Sequence, residues 1–459
     1  MATRFRRRFV AVVLVLVVVA ALAAVVGSQQ GPRLRSVSYD ATDIVSRPAQ
    51  RVILTANQAL QRVSAGDVRV SPAAAHTVTS SGNTVAVEFA GPLEYDRAYT
   101  VTVSGARAPG QAATAELRAT IRTGTTDVLA LVPGTGGTTD RIVRRAIDAS
   151  GATTVYQGSG IAEYVRLSRS LVVLRNSGAG NSTIDIVSLR DGVEDQDAPV
   201  EHITLPSSRG HASALHASDD GASFGFEYAD TSTGESRDVG LYVVDMTGTH
   251  LPQPVTADGG PTTGAVPITV SQWAYVPRTE SALVRTGTDE LFLIDMSGTV
   301  DPIRLGSSTY LHGFVGTGTT AVVESGTGIE RVDLTDGERT PIVAPAGSTD
   351  APYLGRIAQL TDETYLRTVG EVRADGTIAS RIVRVDGSRA SRLPVTIPAD
   401  ATLNALCPSP NGQFVAVVTK SDGGALVSIV DATSGALEAS LTGEAIDWCG
   451  ALPSGDEVS

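Results

Sequence analysis

Few residues in this chain could do chemistry unaided, and the two cysteines come first. Cys407 and Cys449 are the only thiols in 459 residues. Each stands shortly before a turn rich in Pro, Ser, Asn and Gly, in Cys407-Pro408-Ser409-Pro410-Asn411-Gly412 and Cys449-Gly450-Ala451-Leu452-Pro453-Ser454-Gly455. Outside the cytoplasm two such thiols tend to oxidise, which makes Cys407 and Cys449 a candidate disulfide. The alternative is a pair of small buried apolar residues, because a Cα separation is not readable from sequence. Two lone thiols with no histidine pair nearby do not make a zinc site.

Gly221-Ala222-Ser223-Phe224-Gly225 has the Gly-x-Ser-x-Gly spacing of a hydrolase nucleophile. That chemistry needs a strand, a sharp turn and a helix, with an oxyanion hole beside them. Here the surroundings read as a turn followed by a strand, and no room remains for an α/β-hydrolase domain. His211 and His216, near Asp219 and Asp220, form a local cluster of acid–base or metal type, but not at the helical i, i+4 spacing. His76, His202, His250 and His312 are scattered. The acidic run from Asp191 to Asp197 lacks the fixed odd-position acids and closing Glu of a calcium loop. Gly134-Thr135-Gly136-Gly137 lacks the Lys and helix of a phosphate cradle. No catalytic, cofactor-binding or metal-ligating residue is expected from these patterns, and no cofactor.

The elements that would position any site are short strands. Apolar runs ending on an acid and a turn recur, most clearly in Leu241 to Gly248 and Leu291 to Gly298. Fainter copies run over Ile142 to Gly151, Ile184 to Gly192, Ile329 to Gly337, Ile382 to Gly387 and Val427 to Gly435. Aligned, they place residues 148, 188, 245, 295, 333, 386 and 431 in register, with Ser188 in place of the acid. A period of about 47 residues with strand chemistry in each copy predicts a β-propeller, which defines the fold far better than the function, since propellers serve as enzymes, scaffolds and receptors. The aspartates read as caps of their turns.

Ser409-Pro410-Asn411-Gly412-Gln413-Phe414-Val415-Ala416-Val417-Val418 resembles the Ser-Pro-Asp-Gly strand repeat of TolB-like and WD40-like propellers. Ser218-Asp219-Asp220-Gly221 is a divergent copy, and Trp273 to Pro277 opens another blade. The resemblance spans the chain from Val128 onward and implies protein partners. The first blade, starting at Val128-Leu129-Ala130-Leu131-Val132, lacks an inner strand, whereas the stretch from Asp447 to Ser459 reads as a first strand and turn. The expectation is that this late strand completes the first blade, leaving no open edge.

Before the propeller, Val52 and Leu54, then Val85, Val87 and Phe89, then Tyr99, Val101 and Val103, then Leu117, Ala119 and Ile121 alternate with period two. Leu93 to Val103 looks like a tyrosine corner built on Tyr99. With Val52 to Leu60, Tyr99 to Gly105 and Ala119 to Thr123, the segment resembles the bacterial Ig-like domains of surface-layer and other envelope proteins, of SbsA type.

Phe9 to Gly27 carries no charge and follows Arg4, Arg6, Arg7 and Arg8. As a helix it would rise about 28 Å, enough to cross a hydrocarbon core. The arginines would keep the N-terminus cytoplasmic and put the remainder outside. A cleaved signal peptide, with Ala21-Leu22-Ala23 or Val25-Val26-Gly27 as its site, is the alternative. The formal charge is −13, and the first 27 residues hold those four arginines and no acid, so the remainder carries −17. An acidic surface of this size excludes nucleic acid as a partner. Lys420 is the only lysine, an Arg bias typical of high-GC bacteria such as actinobacteria.

The sequence thus predicts an all-β chain: a cytoplasmic basic tail at 1–8, a transmembrane helix or uncleaved signal anchor at 9–27, an Ig-like β-sandwich at 34–125, and a β-propeller of seven blades at 127–459 closed by its C-terminal strand. The function expected is non-catalytic: a monomeric binding or scaffold protein of the cell envelope, engaging an envelope protein or cell-wall component. The competing reading is a propeller enzyme of hydrolase, lactonase or lyase type with a site in the central funnel, its case weakened by how few histidines fall on expected inner strands. A structural spacer is the third.

Overall fold

The computed structural model describes residues 9–19, 31–147, 151–177, 181–232, 239–345, 351, 353–373, 378–398 and 400–451. Residues 9–19 are helical with their apolar side chains exposed. Among the described residues no helix is long and apolar enough to cross a membrane. The expected span 9–27 is therefore described only in its first part, and residues 20–27, like the basic tail 1–8, lie outside the described residues. The chain divides into two units, Met1–Thr125 and Thr126–Ser459.

Among the described residues the first unit has seven strands in two sheets. One has the order Leu34–Ser38, Arg51–Ala56, Thr84–Phe89, His76–Ser81, and the other Val68–Ser71, Ala98–Arg107, Thr114–Arg122. The alternating residues Val52, Leu54, Val85, Val87, Phe89, Val101, Val103, Leu117 and Ile121 are all buried. Tyr99 is buried too, and its hydroxyl accepts the Glu94 amide at 3.2 Å, tying down the loop before its strand.

The second unit is a propeller, with seven consecutive antiparallel sheets among the described residues. The innermost strands of blades one to seven are Glu444–Ile446, Ile161–Arg166, Gly210–Ala217, Val270–Tyr275, Tyr310–Phe314, Tyr353–Gln359 and Thr402–Pro408. From blade two to blade seven each inner strand touches the next, and a 3-10 turn, Asp447–Ala451, touches both blade seven and blade two. Blade one takes its inner strand from residues far away in sequence: Glu444 pairs with Leu131, and Ile446 with Ala130, in the strand Asp127–Val132.

Sheet faces in such a ring press against neighbouring blades, so the second strands are apolar on both sides rather than alternating. Leu171-Val172-Val173-Leu174 and Val415-Ala416-Val417-Val418 are buried throughout. One cluster joins Val172 and Leu174 of blade two to Phe224 and Phe226 of blade three, and another joins Leu283 of blade four to Leu311 and Val323 of blade five. Truncating either of those fully buried phenylalanines to Ala costs about 3–5 kcal/mol.

Third strands end on Asp245, Asp295, Asp333, Asp386 and Asp431. Four of these carboxylates cap the next turn: Asp245 accepts the Thr247 amide at 2.7 Å, Asp295 that of Ser297 at 3.0 Å, Asp333 that of Thr335 at 2.8 Å and Asp431 that of Ser434 at 2.7 Å. Asp386 instead accepts the Thr364 hydroxyl at 3.2 Å. Ser188 lies inside its strand, Ser182–Arg190, and residue 148 is outside the described residues.

The closing strand differs from the expected one. It occupies Glu444–Ile446, ahead of Asp447, and the chain then turns instead of continuing extended. Gly443 at φ 152° and Ala445 at φ 48° permit this, since a Cβ on Gly443 would meet the Leu131 carbonyl oxygen at 2.8 Å. Residues 452–459 lie outside the described residues. A chain ending at Gly443 is expected to leave the edge of Asp127–Val132 unpaired and to aggregate; a soluble, cooperatively melting truncation would show that the strand is dispensable.

Candidate functional site

All seven inner strands share one irregularity. Their register against the second strand shifts at Glu444/Ile446, Ile161/Glu163, Ser213/His216, Val270/Gln272, Leu311/Gly313, Leu354/Ile357 and Leu403/Ala405. A bulge re-aims side chains and frees backbone groups from the ladder. The freed groups are taken up by polar side chains of adjoining blades. Glu163 of blade two accepts the Ala214 and Leu215 amides of blade three at 3.1 and 2.7 Å. Gln272 of blade four accepts the Leu311 amide at 2.9 Å, and His312 of blade five accepts that of Ile357 at 3.2 Å. Asp140 of blade one accepts the Ile161 amide of blade two at 2.9 Å.

A second cluster surrounds the 3-10 turn Asp447–Ala451, which is tied to four blades. Cys449 is joined to Cys407 of blade seven, with S–S 1.97 Å and Cα–Cα 5.1 Å. Asp447 accepts the Leu129 amide at 2.9 Å, and the Trp448 indole donates to the Asp127 carbonyl at 3.2 Å. The turn also touches Ile161–Arg166, the inner strand of blade two, which carries the buried Tyr164. His216 Nδ1 of blade three lies 2.9 Å from the Gly450 carbonyl and so carries the proton, while its ring packs edge-on against Trp273 at 4.7 Å. Burial pushes the Asp447 carboxyl up to about 7, against the Leu129 amide, and pushes His216 down to about 4.

A third group lies on blades five and six. Arg356 Nε and Nη2 donate to the Tyr310 hydroxyl at 3.2 and 3.0 Å, and the Tyr310 and His312 rings are 4.9 Å apart. His312 Nε2 sits 3.3 Å from Glu324, in a poorly aligned contact. Burial lowers His312, with the charges of Arg367 and Arg356 acting in the same direction, and the contact with His312 lowers Glu324.

The residues singled out in sequence fare differently. Ser223 opens the strand Ser223–Asp230 rather than a helix, its amide donates to Ser218 Oγ at 3.0 Å, and its hydroxyl lies 2.9 Å from that of Tyr275. Gly225 is required by packing, because a Cβ there would stand 2.7 Å from the Trp273 ring. His216, Asp219 and Asp220 are not brought together, since Asp219 accepts the Arg278 amide at 2.8 Å and Asp220 accepts that of Ala222 at 3.0 Å. His211 is exposed. In the acidic loop Arg190 pairs with Asp195 at 2.7 Å and Asp197 at 3.7 Å. Among the described residues no group of three His, Cys, Asp or Glu is placed to hold a metal ion. One expectation is corrected: His211, His216 and His312 all lie on inner strands. Tyr310, Arg356 and the Glu324 contact were missed, because the bulges break the alternation that marks a strand.

No family model matches the chain, and no curated protein matches it. Solved structures similar to it include a Bacteroides fragilis protein described as a 6-phosphogluconolactonase, 11% identical over 70% of this chain and 96% of that one, TM-score 0.45. A Pseudomonas aeruginosa periplasmic gluconolactonase is 14% identical over 73% of this chain and 99% of that one, TM-score 0.39. A TolB-like protein of Agrobacterium tumefaciens is 14% identical over 70% and 91%, TM-score 0.33. These likenesses assign no activity to this chain.

The two buried groups of the closing turn set opposite pH dependences. Between about pH 4 and 6.5 the folded chain keeps the Asp447 proton that the unfolded chain releases, so stability falls as pH rises. Over the same window the folded chain lacks the His216 proton that the unfolded chain binds, so stability rises. Each slope is at most about 1.4 kcal/mol per pH unit, and the two offset. Asp447→Asn is therefore expected to uncover the His216 slope, its Tm rising from pH 4 to 6.5; a flat Tm in this variant would contradict it. Peptide mapping without reduction is expected to recover Cys407 and Cys449 in one linked species. Replacing both by Ser should cost about 4 kcal/mol in denaturant unfolding, the loop-closure value for a loop of this length.

Proposed function

We propose that the chain is a binding protein of the bacterial cell envelope. In this reading residues 9–27 form a single membrane span with the N-terminus cytoplasmic, the first unit is an Ig-like stalk, and the propeller is a head that engages an envelope protein or cell-wall component. The observation that carries the non-catalytic reading is the commitment of inner-strand side chains to structure. Glu163, Gln272 and His312 each hold the backbone of the following blade. Side chains so engaged are supports, whereas funnel chemistry needs groups converging on substrate.

One observation favours a second reading, a hydrolase or lactonase site in the funnel. Arg356, Tyr310, His312 and Glu324 gather on adjoining blades five and six, and hydrolysis of a sugar lactone is the activity to try, as in the gluconolactonase noted above.

Photo-cross-linkers placed on exposed loops of either propeller mouth, in native envelopes of the source bacterium, are expected to yield one recurrent adduct with a protein or cell-wall fragment. The full chain is expected to open δ-gluconolactone no faster than buffer. Lactone opening well above the spontaneous rate, with no recurrent adduct, would reverse the ranking.

A further inference from the structure

Four charged Arg, Lys, Asp or Glu side chains belong to the described inner strands, and three of them are answered. Glu163 takes two backbone amides, Arg166 lies 3.2 Å from Asp127, and Glu444 lies 3.3 Å from Lys420. Arg356 is the exception: among the described residues it has no acidic partner within ion-pair distance, and its N–H groups reach only the Tyr310 hydroxyl. The acid on the adjoining blade, Glu324, is drawn to His312 and Arg367.

The local backbone holds Arg356 there. It lies in the bulge between Leu354 and Ile357, and Arg367 Nε fixes that bulge by donating to the Gly355 carbonyl at 3.2 Å. The guanidinium is half-buried and stands 5.8 Å from the Tyr310 ring centre. Tyr310 receives both guanidinium bonds on its oxygen, so its own O–H remains to donate. Arg356 Nη1 has two N–H groups left beside it. The charge of Arg356 also reaches His216 on blade three and His312 on blade five, and both rings are buried. A fixed cation with free donors and no counter-charge is a receptor for an anion.

We propose that Arg356 and Tyr310 form a carboxylate-binding site on the propeller axis, with Arg356 N–H groups and the Tyr310 O–H donating to the carboxylate oxygens. One guanidinium and one hydroxyl match the two oxygens and single charge of a carboxylate; a phosphate dianion calls for more cations. A free small carboxylate and the terminal carboxylate of a peptide present the same oxygens. The inference goes beyond the binding role proposed above and does not need it, since a small anion can be bound whether or not a macromolecular partner is captured.

The test is thermal unfolding of the full chain at constant ionic strength, with sodium glutarate replacing sodium chloride. A saturable Tm rise of roughly 5 °C is expected well above the half-saturation concentration. Arg356→Gln should abolish it, and Arg356→Lys and Tyr310→Phe should each weaken half-saturation several-fold. Should Arg356→Gln fail to fold, Tyr310→Phe carries the test, because it keeps the ring and removes one donor. A short peptide competing only with a free, not an amidated, C-terminus would assign the site to peptide ends; glutarate alone binding would assign it to small acids. No saturable glutarate shift in the parent chain, an equal shift in parent and both Arg356→Lys and Tyr310→Phe, or a shift with inorganic phosphate and none with glutarate would overturn the proposal.

Discussion

Ring closure is the constraint on which the rest of the propeller depends. A blade here is a sheet of four or five strands with two apolar faces, and it can bury them only between neighbours. Blade one lacks an inner strand until Glu444–Ile446 arrives, and a three-residue strand offers few ladder bonds. The turn behind it supplies what the strand cannot. Disulfide, carboxylate, indole and imidazole contacts reach blades seven, one and three. Closure is thus secured less by the sheet than by side chains anchored around it.

The same economy governs the inner strands. Neighbouring blades diverge outward from the axis, so their inner strands meet without forming a shared ladder, and each bulge leaves amides that need acceptors. Glu163, Gln272, His312 and Asp140 supply these from adjoining blades. Polar residues that would be read as a converging site are in large part the joinery between sheets. Arg356 stands apart because its charge is left over after that joinery is complete.

How far the sequence discloses this depends on how local each cause is. The strand-ending aspartates are legible because an Asx turn needs only residues two or three positions apart, as in Asp245 with Thr247. Ser409 to Gly412 is legible for the same reason: Ser409 Oγ accepts the Phe414 amide at 3.1 Å, with Gly412 at φ 72°. The period-two strands around Tyr99 are equally plain. Inner strands are the opposite case. Tyr310-Leu311-His312-Gly313-Phe314 is buried throughout and bulged, so it shows neither alternation nor a cap. A histidine flanked by aromatic residues in a short run was the one clue. The closing strand was expected three residues late, because Trp448 and Cys449 look strand-like while their role is to pack and bond from a turn.

The pairing of Leu129 with Asp447 spans 318 residues. At translation speeds of about 5–20 residues per second, the interval between their syntheses is roughly fifteen seconds to a minute. For that time the earliest blade exists with one bare edge, while six later blades accumulate beside it. Folding can therefore proceed along the row but cannot finish until its last contributors emerge. The order of synthesis makes the first blade the slowest to complete, and its waiting edge is where misassembly between nascent chains has its opening.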